Sequence, residues 1–419
     1  MIRLFILADD FTGGLDTGVQ FAEKGIPTRV LTDPDADFEQ ARRDCQVLVV
    51  VAETRHLPAE EAYRVVNRVT RKAVRCGIPF LYKKTDSALR GNIGAELSAM
   101  LEASGEKTLS FLPAMPSLRR VTRMGVHYID GKPVSESVFG KDPFEPVRES
   151  SVRALLAQQS GIAAVNAAPE DIPEQEGIVI VDAETEEDLR RAGRTLKEKN
   201  LLRVTAGCAG FAAVLPELLG LEAEKKERIP LAEGGLFVLC GSVNPITQRQ
   251  LAFAEKNGFV RHHILPEQKL DGTYFDTASG RKAMREWEEA NRTHPWMILD
   301  ANDRKDDNGE SAAYAAAHGM TTEDVRCRIS GTLGRILPEM LPSCGNKTLL
   351  ITGGDTLLQC MNRMDVWEME PLYQVYPGVV LSRFETESGT RYVITKSGGF
   401  GEETLLPDLR EMILRQAKA

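Results

Sequence analysis

Apolar residues fall along this chain in short unbroken runs, separated by longer stretches of mixed character. Arg3–Ala8, Thr28–Leu31, Val47–Ala52, Phe80–Lys84 and Thr108–Leu112 have the length and composition of buried strands. Leu15–Lys24, Pro58–Cys76 and Gly94–Ser104 lie between them as helical stretches, and Gly25 and Gly77 supply stops for the first two. Apolar runs alternating with helices predict a parallel sheet covered on both faces. The stretch from Pro113 to Pro146, with many Pro, Arg and Gly residues, breaks that rhythm. It reads equally as a substrate-covering excursion or as irregular surface. The alternation returns with a strand at Ile178–Val181, a helix over Glu184–Lys199 and a strand at Leu202–Thr205. Leu221–Pro230 is charged and has no strand pattern, so a domain boundary is placed at 222–234, between domains 1–225 and 235–419. Beyond it Leu236–Cys240, Trp296–Leu299, Thr348–Thr352 and Tyr392–Thr395 form a second series of strands with helices between them. The expected fold is α/β, with two lobes, each a mainly parallel sheet flanked by helices, and an active site in the cleft between them.

Length agrees with this division, since 419 residues exceed what one core ordinarily organises. Hydrophobic residues at 42% and charged ones at 27% describe a globular chain and exclude a disordered one. The formal net charge of −9 argues against a general binder of nucleic acid or anionic membrane, which needs a positive field. No apolar run approaches the ~20 residues of a spanning helix. The opening Met1–Ala8 is too short for a signal peptide and runs straight into Asp9 and Asp10. Seven scattered cysteines with no C-x-x-C pair suggest reduced thiols and hence a cytoplasmic location.

Open parallel sheets bind ligands beyond the carboxyl ends of their strands. In the first lobe those ends carry Asp9-Asp10-Phe-Thr-Gly-Gly14, Glu53-Thr-Arg55, the run Lys83-Lys84-Thr85-Asp86-Ser87 continuing to Arg90-Gly91-Asn92, and Pro113–Pro116 leading to Arg119-Arg120. Arg55, Lys83, Lys84, Arg90 and Arg120 are expected to make a cationic pocket inside an acidic surface. Arginine forks match carboxylates and lysine adds a point charge. Asp10 and Asp86 can accept hydrogen bonds from sugar hydroxyls, and one of them could take a proton from an attacking hydroxyl. A small polyhydroxy acid suits the set. Asp10 or Thr12 could equally serve as a helix N-cap.

The second lobe offers three strand-to-helix turns, Cys240-Gly-Ser242-Val-Asn244, Thr352-Gly353-Gly354-Asp355-Thr356 and Lys396-Ser-Gly398-Gly-Phe-Gly401. Glycine lets backbone approach a ligand, and amides at a helix start attract anions, so together the turns favour nucleotide phosphates. Neither G-x-x-x-x-G-K-[ST] nor a G-x-G-x-x-G opening a βαβ unit is present. His262 and His263 read as strand-edge surface without further zinc ligands, and His127 reads as structural.

Ala8–Gln20, Tyr82–Glu96, Pro113–Gly131, Gly241-Ser242, Thr352–Thr356 and Lys396–Gly401 resemble the four-carbon acid sugar kinases. The likeness runs from residue 8 to residue 401. It implies an enzyme that phosphorylates the terminal (4-)hydroxyl of an acid sugar such as D-threonate or D-erythronate, with ATP and Mg2+. It places the acid on Asp10, Arg55, Lys83, Lys84, Thr85, Asp86, Ser87 and Arg90. It places ATP on Ser242, Gly353, Gly354, Asp355, Thr356 and Gly398. Asp10, Asp86 and Asp355 are the candidate catalytic carboxylates, and no metal ligands are assigned. The form of the first motif and of the fourth-strand loop is closer to threonate and erythronate kinases than to 3-oxo-tetronate kinases, which are the alternative within the family. Ala88 stands where Thr is usual, and Arg119 where Gly is usual. The partners expected are the acid sugar and ATP, with no nucleic acid and no membrane, and a homo-oligomer is left open. A non-catalytic sensor of small acids and a nicotinamide-dependent dehydrogenase are the competing readings.

Overall fold

In the first unit, strands β1 (Leu4–Ala8), β2 (Thr28–Leu31), β3 (Val47–Val51), β4 (Phe80–Lys84) and β5 (Thr108–Leu112) form where the apolar runs predict them. The computed structural model describes residues 1–38, 44–142, 145–224, 229, 231–304, 309–387 and 389–416. Of the charged boundary stretch, 225–228 and 230 lie outside the described residues, as do 143–144 near the end of the irregular stretch. The chain divides into two compact units, Met1–Lys226 and Glu227–Ala419. Among the described residues no helix is long and apolar enough to cross a membrane.

The irregular stretch holds a small antiparallel sheet of β6 (Arg120–Arg123), β7 (Val126–Ile129) and β8 (Lys132–Pro133), which the sequence pattern did not reveal. After it come β9 (Ala164–Ala167), β10 (Gly177–Val181) and β11 (Val204–Gly207). The main sheet of this unit runs β2-β3-β1-β4-β11-β5-β10-β9, with every pairing parallel. From β1 the chain passes to β2 and β3 on one side and then to β4 on the other. A crevice therefore opens between the ends of β1 and β4, the switch point at which such sheets take ligands. Register aligns Ala8 with Val51 and Lys84, and Lys84 with Gly207, so these strand ends stand level. Phe5, Leu7, Leu48, Val50, Leu81, Phe111 and Ile180 pack under the helices that cover one face.

The first helix, Phe11–Ala22, starts four residues earlier than its apolar pattern indicates. Asp10 caps it, with Oδ1 accepting from the Gly13 amide at 3.0 Å. Glycine inside a helix costs roughly 1 kcal/mol against alanine. At Gly13 it is required by packing, because a Cβ there would stand 2.4 Å from Asp10 Oδ1 and 2.7 Å from Lys84 Nζ.

The second unit contains β12 (Leu236–Cys240), β13 (Val260–His263), β14 (Trp296–Asp300), β15 (Thr348–Thr352), β16 (Glu368–Tyr376), β17 (Val379–Thr386) and β18 (Gly389–Lys396). Its order is β13-β14-β12-β15-β18-β17-β16. The strands from β13 to β18 are parallel, while β17 pairs antiparallel with both β18 and β16. β12 and β15 flank its switch point, and Cys240, Thr352 and Lys396 align at the strand ends. β13, Val-Arg-His-His, is a polar edge strand, and β16 mixes buried and exposed positions, so neither shows as an apolar run.

Candidate functional site

At the crevice of the first unit, β1 delivers Asp9 and Asp10, the loop after β3 delivers Arg55, and β4 runs into Lys84–Arg90. Arg55 is held by both acids. Its Nε and Nη2 lie 2.8 Å from Asp9 Oδ2, Nη1 donates to Asp10 Oδ2 at 2.9 Å, and Nη2 lies 2.7 Å from Asp10 Oδ1. Burial opposes the charge on Arg55, but Asp10 and Asp9 hold its pKa well above the ordinary value. The fork expected to grip a ligand carboxylate is thus filled by the protein. Asp10 also receives Thr12 Oγ1 at 2.8 Å, so the helix-cap role and the Arg55 contact coexist on one carboxylate.

Asp86 is clasped by Arg90, whose Nε and Nη2 reach its two oxygens at 2.7 and 3.2 Å and whose amide donates at 3.2 Å. Burial alone would raise the Asp86 carboxyl, but the Arg90 and Arg55 guanidinium groups hold it well below the usual carboxylate range. Arg90 reaches Asp142 at 3.4 Å, and both Arg90 and Arg120 stand over the Phe139 ring. Arg120 Nη1 donates to Ser87 Oγ. His127 fixes the same loop from behind, with Nε2 against Ser87 O at 2.9 Å and Nδ1 against Thr122 Oγ1 at 3.0 Å. It is fully buried, which pushes its pKa down to about 4, and its role is structural. Glu53 and Leu89, in the loops that carry Arg55 and Arg90, adopt φ of 49° and 64°. Left-handed backbone at non-glycine residues stores strain of the kind that gathers at binding sites.

Successive residues of a strand face opposite ways, and this separates the two lysines of β4. Lys83 Nζ lies 2.9 Å from Glu96 Oε2, both side chains fully enclosed beneath the helix Ile93–Ser104. Lys84 Nζ lies beside Asp10 and the first helix, and its one hydrogen bond among the described residues is to Thr85 O at 2.8 Å. Thr85 turns a buried Oγ1 with no partner among the described residues. The pocket is therefore a balanced network, in which Asp9, Asp10, Asp16, Asp86 and Glu96 accompany the five cations. The sequence reading placed Asp9 at the strand end and gave no role to Asp16 or Glu96. Asn92 was also missed: its Nδ2 ties Thr54 O and Leu57 O at 3.0 and 2.8 Å, binding the Arg55 loop to the Arg90 loop. Of the two residues that depart from family habit, Ala88 is in the core. Arg119 points outward to Asp130 at φ 54°, a conformation that explains the usual glycine.

In the second unit, Ser242, Gly353, Thr356 and Gly398 converge. A Cβ on Gly398 would stand 2.5 Å from Ser242 Oγ, and Gly353 has φ 101° with Thr356 Oγ1 and the Ser242 amide close by. Gly354 opens the helix Gly354–Arg363, and Asn244 caps the helix Pro245–Lys256. The start of the helix Gly354–Arg363 has no side-chain cap, while at the start of Pro245–Lys256 the Ile246 amide donates to Asn244 Oδ1 at 2.9 Å. Asp355 is paired with Arg326. Lys396, which the sequence reading left without a role, is buried, and its Nζ donates to Thr247 Oγ1, Ser397 O and Gly398 O at 3.0, 3.0 and 3.1 Å. Burial lowers its pKa to about 8. The glycine turn is thus built around an ammonium with no acid partner among the described residues.

Residues 4–215 match a family model described as a sugar-binding N-terminal domain, and residues 237–406 one described as a nucleotide-binding C-terminal domain. A D-threonate kinase of Salmonella typhimurium is 29% identical over 426 residues, covering 97% of each chain. A 3-oxo-tetronate kinase of Escherichia coli is 30% identical over 273 residues, 60% of this chain and 69% of that one. A crystal structure from Salmonella typhimurium superposes with a TM-score of 0.78 at 20% identity and covers 99% of both chains, a likeness of fold alone. With such relatives the sensor and dehydrogenase readings fall. Strand ends, glycine turns and full-length likeness converge, and the chain belongs to the four-carbon acid sugar kinases.

Proposed function

We propose that the enzyme transfers the γ-phosphate of ATP to the 4-hydroxyl of a threonate- or erythronate-type acid. The observation that carries this is Lys84, an ammonium 4% exposed at a sheet switch point, with a single carbonyl as hydrogen-bond partner among the described residues. Such a cation has donors left for a ligand carboxylate. Asp86, held ionised by Arg90, accepts from a hydroxyl of the same ligand, and Ser87 and Asp10 border it. Arg55 and Arg90 act through the acids they grip. Lys83 acts at one remove, by holding Glu96 under the loop.

The residues of the second unit fit a polyphosphate, because glycine at 398 lets its turn close on Ser242 and the start of the helix Gly354–Arg363 carries no side-chain cap. Ser242, Gly353, Gly354, Thr356 and Gly398 would line it. Bound ATP supplies the phosphoryl group. Mg2+ ordinarily takes one or two carboxylates with phosphate oxygens, and Asp355 is an acid at this edge. Among the described residues no cluster of three or more metal-binding side chains occurs. Phosphoryl transfer of this type depends chiefly on positioning and charge neutralisation. The likeness to D-threonate kinase over 97% of the chain supports threonate ahead of 3-oxo-tetronate.

An ADP-release assay with D- and L-threonate, D- and L-erythronate, 3-oxo-tetronates and D-glycerate tests the reading. Release with a threonate or erythronate is expected. Release with D-glycerate alone, or with none of the acids, would overturn it.

A further inference from the structure

We propose that Asp16 is the carboxylate that takes the proton from the acceptor hydroxyl, a deeper reading of the site that rests on the kinase function above. Asp16 lies one turn beyond Gly13 on the first helix, and residues three apart share a helix face. That face looks onto Lys84, since a Cβ on Gly13 would stand 2.7 Å from its Nζ. The charged groups within reach of Asp16 are Lys84 at the end of β4, Arg120 on β6 and Asp10 at the end of β1, and the Cys208 thiol beyond β11 faces it as well.

The other carboxylates of the site are engaged. Asp10 holds a helix amide, the Thr12 hydroxyl and Arg55. Asp86 is forked by Arg90, and Asp355 is paired with Arg326. Asp9 and Glu96 are each 1% exposed and locked to Arg55 and Lys83. Asp16 remains half-buried, and its Oδ1 is buried with no hydrogen-bond partner among the described residues. Burial raises the Asp16 carboxyl above its ordinary value, against the pull of Lys84 and Arg120 and with the push of Asp10. That direction suits a proton acceptor. In the step, the hydroxyl O–H bond breaks and its proton goes to an Asp16 oxygen. The hydroxyl oxygen bonds to the γ-phosphorus as the bond to the β,γ-bridging oxygen breaks, and that electron pair leaves with ADP. The proton then passes to solvent.

The test uses the full chain and the acid that wild-type enzyme phosphorylates fastest, so a failure of the kinase reading shows as no turnover by wild type. D16N is expected to lower kcat at least 100-fold while both KM values and the ADP affinity stay within about threefold, the range seen for loss of a general base. It should also remove the acidic limb of the kcat–pH profile, and D16E should restore part of the rate. A kcat within threefold of wild type, a loss confined to KM for the acid, or an acidic limb unchanged in D16N overturns the proposal. If D16N loses ADP affinity through misfolding, D16E decides: a kcat–pH profile like that of wild type at unchanged rate overturns it, and a displaced acidic limb supports it.

Discussion

Neighbouring lysines at the end of β4 share a sequence motif and little else. The pleat sends Lys84 toward Asp10 and the first helix, and Lys83 into a sealed pair with Glu96. Burial pushes the Glu96 carboxyl up and Lys83 pulls it down, with a net rise. Such pairs add little beyond an apolar contact of the same shape, yet losing one partner strands a charge. Lys83→Met should therefore cost about 3 kcal/mol of unfolding free energy, and Lys83→Met with Glu96→Leu should recover most of it. Urea titrations of the two single variants and the double variant measure this. Equal losses in single and double variants would show that Lys83 contributes through something other than Glu96.

At the scale of elements, the strip β6–β7 supports the site from behind. His127 on β7 reaches Ser87 O, and Arg120 on β6 reaches Ser87 Oγ, so the loop after β4 rests on this hairpin. The imidazole stays neutral in the fold because its pKa falls from 6.5 to about 4. Between those values the unfolded chain takes a proton that the folded chain refuses. Stability is therefore lost as pH falls from 6.5 toward 4, by about 3 kcal/mol in all. Carboxylates such as Asp86 add their own loss at lower pH, because their folded pKa is depressed. H127Q should lack the histidine part, so the difference in unfolding free energy between pH 7 and pH 4 should be smaller than in wild type. An identical difference would contradict the neutral buried state. The hairpin was illegible in the sequence, since its strands are short and Arg120-Val-Thr-Arg123 has no apolar run. The parallel strands were legible because burial on both faces leaves continuous Val, Ile and Leu.

For the molecule as a whole, each unit repeats one arrangement, a parallel sheet whose switch point gathers the side chains of several strand ends. That arrangement follows from apolar runs and put Lys84, Asp86, Ser242 and Gly398 at or just beyond strand ends, where the structure has them. Which charge meets which was not findable. The expected cationic pocket set Asp10 beside the cations without its pairing to Arg55 and left out the pairing of Lys83 with Glu96, because pairing depends on the pleat and on helix placement that residue type does not encode. Lys396 and Asn92 stayed hidden for a related reason: they act by hydrogen bonds to backbone carbonyls, which have no sequence signature.

The central claim is transfer of phosphate to the terminal hydroxyl of a four-carbon acid. Two-dimensional phosphorus–proton NMR of the product formed from ATP and D-threonate, or D-erythronate, tests it most directly. A phosphate monoester whose phosphorus couples to the C4 methylene protons is expected, formed in step with ADP. Phosphorus coupled instead to the C2 or C3 proton, or ADP appearing with free inorganic phosphate and unmodified acid, would contradict it.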